Sequence, residues 1–171
     1  VWKQANKYKV PRIAFINKLD RLGANPFRVV TALKEKLELN PILLQYPIGL
    51  EDQFAGVIDL IEMKAYYYEG EYGEELIIKP IPESLEAEAQ TAREKLLDSI
   101  SILSEEMMAK LLAGEEIPLS LIWETIRQGT LSREFTPVLL GSALKNKGIQ
   151  NLLDAVNLYL PSPIEREVVQ A

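Results

Sequence analysis

In the stretch FINKLDRLGANPF (residues 15–27), Asn17, Lys18 and Asp20 stand together directly after the apolar run RIAFI. A second polar group, GSALKNKG at 141–148, follows the apolar run FTPVLL and precedes a helical pattern. A carboxylate accepts two adjacent N–H donors at once through charge-assisted bonds. The Watson–Crick edge of guanine offers such a pair, the ring N1–H and the exocyclic amine, and adenine offers none. Asp20 would supply the carboxylate, and the aliphatic stem of Lys18 would cover the flat face of the ring. A backbone N–H at Ala143 would meet the base carbonyl. Asn17 would tie the neighbouring loops, and Ser142 would hold the Asp20 carboxylate. Taken alone, N-K-x-D is short, and Asp20 opening a loop with Asn17 capping the next helix accounts for it as well. Two such groups at two strand ends favour base recognition, because open α/β sheets bind ligands beyond the carboxyl ends of their strands.

These groups need a scaffold. Residues 2–9 read as a helix tail closed by Val10-Pro11, and 12–16 as a buried strand. NPFRVVTALKEKLEL reads as a helix with Phe27, Val30, Leu33 (or Lys34) and Leu37 inward, and PILLQYPIG as one strand. From residue 51 the texture changes to three short strands near 54–60, 63–69 and 74–79, with Gly70 and Gly73 marking a hairpin turn. Residues 82–114 are helical, with Leu85, Ala89, Ala92, Leu96, Ile100, Leu103, Met107 and Leu111 stepping by three or four. Ser104 before Glu105 and Glu106 predicts a break there. One more helix precedes FTPVLLGSA, a returning strand. A closing helix then presents Ile149, Leu152, Leu153, Val156 and Leu160 on one face. The outer parts form an α/β unit, and the middle an α+β lobe inserted into it.

Of the 171 residues, 47% are hydrophobic and 26% charged, with a net charge of −6. That balance fits a globular chain and argues against binding nucleic-acid phosphates over the whole surface. There is no cysteine and no histidine, so disulfides, thiolate metal sites and imidazole general bases are excluded. No apolar run approaches the roughly 20 residues of a membrane span. Basic residues cluster in WKQANKYKVPR and around Lys145 and Lys147, which reads as solvated surface. Tyr66 and Tyr68 fall on one face of a strand and Tyr67 on the other, which reads as packing.

VWKQANKYKVPRIAFINKLDRLGAN, GVIDLIEMKA, EEMMAKLLAGEEI, GSALKNKGIQNLLDAV and YLPSP resemble the elongation factor G family of translational GTPases, in order and with similar spacing. The resemblance puts the family's base-recognition motif on Asn17, Lys18 and Asp20 and its second base loop on Ser142, Ala143 and Leu144. Leu19 stands where the family often has Met, and Leu144 where it often has Phe. It implies an α/β fold with a partial P-loop-GTPase-type parallel sheet and an inserted α+β subdomain. Residues 1–50 and 135–163 would be the guanine-recognising part of the GTP-binding domain, 51–134 the inserted subdomain, and 164–171 a linker to a following domain. It also implies a parent that binds GTP or GDP, works on the ribosome in translocation, and resides in a bacterial cytoplasm or an organelle. Acidic helices of the inserted subdomain would meet the ribosomal stalk protein, with Glu86, Glu94, Asp98 and Glu105 as candidates.

The sequence contains no G-x-x-x-x-G-K-[ST] phosphate loop. The resemblance places that loop, the Mg²⁺ ligands and the switch segments ahead of Val1. The chain is therefore expected to be a piece of a longer protein, with no catalytic residue, no metal site, no bound cofactor of its own and no GTP hydrolysis. It is also expected not to touch membrane or to read nucleic-acid sequence. A sheet cut in this way leaves an edge and apolar faces open, so dimerisation through that face is an expectation. The alternatives are a stalk-binding module without nucleotide, or a related ribosomal protection or release-factor-recycling GTPase.

Overall fold

A computed structural model describes residues 2–165, so the expected linker 164–171 lies outside the described residues from 166 onward. In chain order the elements are α1 (Trp2–Lys7), β1 (Ala14–Ile16), α2 (Pro26–Leu37), β2 (Pro41–Leu43), β3 (Gln45–Ile48), β4 (Gly56–Asp59), β5 (Lys64–Glu69), β6 (Glu75–Lys79), α3 (Glu86–Ser101), α4 (Glu105–Ala113), α5 (Leu119–Leu131), β7 (Thr136–Leu140) and α6 (Ile149–Tyr159). Two sheets result. One is three-stranded in the order β1-β7-β2, and the other four-stranded in the order β3-β4-β5-β6. The first is parallel throughout and the second antiparallel throughout.

Local chemistry explains the helix ends. Asn25 caps α2 by accepting the Arg28 N–H, and Pro26 fills the first turn, where no amide is missed. Ser104 caps α4 by accepting from the Met107 amide, so the break expected at that serine is present. Gly114, at φ 68°, closes α4 in the left-handed conformation that suits glycine.

The stretch 41–49 corrects the expectation of one strand. Leu44 is a pivot: its N–H donates to Val138 O in the parallel sheet (3.0 Å), and its carbonyl accepts from Leu60 N in the antiparallel sheet (3.0 Å). Gln45 is buried, and its side-chain oxygen accepts the Leu140 N–H at 2.8 Å, satisfying the end of β7 where the neighbouring strand has left. The antiparallel sheet therefore begins at Gln45, ahead of residue 51. Pro47 is tolerated because β3 is an edge strand.

The core has two parts. The larger joins both sheets to the helices through Ile42, Leu44, Ile58, Leu60, Leu96, Ile100, Met107, Ile122, Ile126 and Phe135. The smaller lies under the two polar loops and combines Ile16, Leu19, Phe54, Val57, Tyr68, Val138 and Leu140. Burying each such side chain is worth about 1.5–3 kcal/mol. Tyr66 packs against the smaller cluster with Tyr68, and Tyr67 against the larger, so these tyrosines are packing residues.

The closing helix also differs from its expected face. Ala155 and Tyr159 are its buried residues, whereas Leu153 is 59% exposed and Val156 38%. The helix is apolar on most of its circumference, so periodicity alone did not choose the inward face.

Candidate functional site

The loop after β1 is held at its one apolar residue. Leu19 is 1% exposed; its N–H donates to Gly141 O (3.2 Å) and its carbonyl accepts the Glu51 N–H (2.7 Å). With Leu19 seated, Asn17 and Lys18 are exposed and Asp20 is only partly so. Lys18 takes a left-handed backbone, φ 65°, steadied by its N–H donating to Asn17 Oδ1 at 2.7 Å.

The loop after β7 closes on itself. Ser142 and Lys147 exchange backbone hydrogen bonds, each 2.9 Å, and Asn146 N–H donates to Ala143 O at 3.1 Å. Gly148, at φ 86°, turns the chain into α6. Ser142 is buried, whereas Ala143 and Leu144 point outward, with Leu144 74% exposed.

The two loops meet. Asn17 Oδ1 also accepts the Ala143 N–H at 2.9 Å, so one side-chain oxygen joins both. The Ser142 hydroxyl is the main cause holding the Asp20 carboxyl below its ordinary value of 3.8, with Arg21 and Lys145 adding smaller contributions. A carboxylate depressed in this way contributes stability that is full at neutral pH and is lost as pH falls through its folded value. Asp20 Oδ1 is screened from water and has no hydrogen-bond partner among the described residues. Such an oxygen carries an uncompensated desolvation cost and asks for a donor.

All six residues expected at the base site thus lie on two touching loops. One detail is corrected: the Ala143 N–H, expected to face a base carbonyl, is engaged by Asn17. The cleft of about 150 Å³ against the first loop is lined by Asn17, Lys18, Gly23, Asn25 and Arg28 among others, and Asp20 and Ser142 do not line it.

Two residues that the sequence reading passed over complete the surroundings. Glu51 Oε1 accepts the Gly23 N–H at 2.7 Å. Lys147, read from sequence as a solvated cation, is half-buried and donates from Nζ to Phe54 O at 2.8 Å. Neither has a local signature, because both act across long sequence separations. On the other lobe, Glu86, Glu94, Asp98 and Glu105 are all exposed. Glu94 accepts from Gln90. Among the described residues no cluster of acidic side chains is arranged to hold a metal ion, and no helix is long and apolar enough to cross a membrane.

The sequence profile of the elongation factor Tu GTP-binding domain matches residues 1–162. The chain is 54% identical over 166 residues to elongation factor G 1 of Desulfotalea psychrophila, covering 96% of this chain and 24% of that protein. It is 52% identical over 161 residues to elongation factor G 1 of Borreliella afzelii, covering 94% and 23%. It thus spans about a quarter of the length of the curated relatives it matches. A crystal structure of a Thermus thermophilus protein superimposes with a TM-score of 0.82 at 27% identity, covering 96% of this chain and 24% of that one.

Proposed function

The chain belongs to the elongation factor Tu GTP-binding domain family, and from that premise we propose that it is the guanine-recognising half of a ribosomal translocation GTPase of the elongation factor G type. The observation that carries this is the junction of the two loops. Asn17 Oδ1 takes the Ala143 N–H, and beside that junction Asp20 holds a screened carboxylate oxygen without a donor. Guanine offers two adjacent donors at the spacing of a carboxylate's two oxygens. Lys18 and Leu144, exposed on opposite loops, cover the two faces of the ring. With Ala143 committed to Asn17, and the Lys145, Asn146 and Lys147 amides committed within the loop, the base carbonyl is left to the Leu144 N–H. The parallel sheet is the recognition unit, and the segment from Gln45 through α5 is the inserted subdomain.

Phosphoryl transfer rests on backbone donors, lysine and magnesium around the phosphates. These residues do not supply that apparatus, so the chain contributes selectivity and the rest of the whole protein contributes phosphate affinity. Titration of this chain with GDP, followed by amide chemical shifts, is expected to give a dissociation constant of about millimolar. The shifts should centre on Lys18, Asp20 and Ala143, and ADP should not produce them. Equal shifts from ADP would overturn the guanine reading, and low-micromolar GDP binding would overturn the division of labour.

The inserted lobe is the protein-binding part in this proposal. Glu86, Glu94 and Asp98 lie along α3, and Glu105 opens α4, all facing outward. An acidic face of this kind steers a basic partner surface, here the ribosomal stalk protein. Reversing Glu94 and Asp98 to lysine in the whole protein is expected to lower stalk-stimulated GTP hydrolysis about tenfold at low salt, with little change in hydrolysis without ribosomes. Unchanged stimulation would mark the face as merely solvated.

A further inference from the structure

We propose that Glu51 is a positioning residue for guanine recognition, and that the short turn Glu51–Gln53, with Phe54 closing it, is the part through which the antiparallel lobe sets the spacing of the two base loops. This deepens the guanine reading above and rests on it.

The turn grips the first loop twice. The Glu51 N–H donates to Leu19 O at 2.7 Å, and Glu51 Oε1 accepts the Gly23 N–H at 2.7 Å. Leu19 and Gly23 bracket Asp20, so both ends of the segment bearing the carboxylate are fixed by one residue. Three residues on, the same turn grips the second loop, where Phe54 O accepts from Lys147 Nζ at 2.8 Å. The lysine ammonium also sits 5.9 Å from the centre of the Phe54 ring. Lys147 is the residue whose backbone closes the second loop onto Ser142, and Ser142 in turn steadies Asp20. A second link comes from the hairpin turn of the lobe, where Gly73 O accepts from the Asn146 side chain at 3.5 Å. Both base loops are therefore fastened to the inserted lobe as well as to each other.

The backbone of Glu51 adds an independent observation. Its φ is 59°, a left-handed conformation that glycine enters freely and glutamate does not. Strained non-glycine residues of this kind persist where surrounding contacts over-determine them, and here the amide and the carboxylate are both committed to the base loop. The strain separates two roles by experiment. A glycine at this position would relieve the backbone while removing the carboxylate.

The test compares Glu51→Ala, Glu51→Gly and Glu51→Gln in the whole protein, its phosphate-binding half included, through dissociation constants for GDP and IDP and through melting temperature. IDP lacks the exocyclic amine, so the GDP-to-IDP ratio reports how well Asp20 meets the base edge. Glu51→Ala and Glu51→Gly are expected to weaken GDP binding about tenfold and to narrow the GDP-to-IDP ratio. Glu51→Gly is expected to do so with a smaller loss of melting temperature than Glu51→Ala, because glycine relieves the left-handed backbone. Glu51→Gln keeps a side-chain oxygen for the Gly23 N–H and is expected to stay within about threefold of the parent. If the glycine variant binds GDP and IDP as the parent does, or if affinity merely follows melting temperature across the three variants, the positioning role is overturned. Asp20→Asn measured alongside separates the two levels. Should it leave base preference intact, the guanine reading itself fails. Should it shift preference while the Glu51 variants do not, only the positioning role fails.

Discussion

Asp20→Asn is expected to lower the affinity of the whole protein for GDP about a hundredfold or more and to turn base preference toward xanthine nucleotides. In the proposed guanine complex the carboxylate accepts from both N1–H and the exocyclic amine. Asparagine keeps one acceptor and presents an NH₂ group to the other donor, so one bond is lost and two donors face each other. Each hydrogen bond to a charged group is worth about 1.5–3 kcal/mol, and every 1.4 kcal/mol is about tenfold in affinity. Xanthine carries a carbonyl where guanine carries the amine, and the asparagine NH₂ group can donate to it. The fold should tolerate the change, because the two side chains are close in size and the Asp20 side chain is still 15% exposed. A cost of about 1 kcal/mol or less is expected. In the parent, Asp20 is held below its ordinary value of 3.8 by Ser142, so base preference should not vary with pH above about 5. Competition between GDP and XDP for parent and variant decides the matter. A variant that still prefers GDP would remove Asp20 from the base edge.

The positions of the two polar loops were legible in the sequence because their determinants are local. An apolar strand delivers Asn17, Lys18 and Asp20 to one place, and a second does the same for Ser142, Ala143 and Leu144. That the loops touch required only that β1 and β7 be neighbours in a parallel sheet, and they are paired directly. The helix limits were legible for the same reason, since Asn25, Ser104 and Gly114 act on their own chain neighbours. What stayed hidden depends on partners distant in sequence. The apolar run 41–48 carries no glycine or charge to announce that Leu44 passes from one sheet to the other. The one polar side chain in that run, Gln45, reveals its purpose only when the Leu140 amide is seen above it. In α6, apolar residues surround the helix, so burial of Ala155 and Tyr159 instead of Leu153 and Val156 was settled by what packs against it. Glu51 and Lys147 look like surface charges until the loops they hold are in place.

Gly141→Ala should produce a large loss of stability at the site, about 3 kcal/mol. An added Cβ would lie 2.3 Å from Lys147 O and 2.7 Å from the Phe15 ring. Neither neighbour can yield easily. Lys147 O accepts the Ser142 N–H at 2.9 Å, so moving it opens the second loop. Phe15 is packed against the larger core cluster. The glycine cannot back away either, because its N–H donates to Ile16 O (3.1 Å) and its carbonyl accepts from Leu19 N (3.2 Å). Overpacking of this kind costs about 1–3 kcal/mol, and a broken Ser142–Lys147 bond adds about 1 kcal/mol. For a chain of this length each kcal/mol corresponds to about 2–4 °C, so thermal unfolding should show a drop of about 10 °C. Gly23→Ala is the comparison, because a Cβ there meets nothing within 4 Å and only the left-handed φ of +79° opposes it. Its cost should stay near 1–2 kcal/mol. If Gly141→Ala unfolds within a few degrees of the parent, the joint between the loops is looser than these contacts indicate, and a spacing fixed well enough to select guanine is no longer tenable.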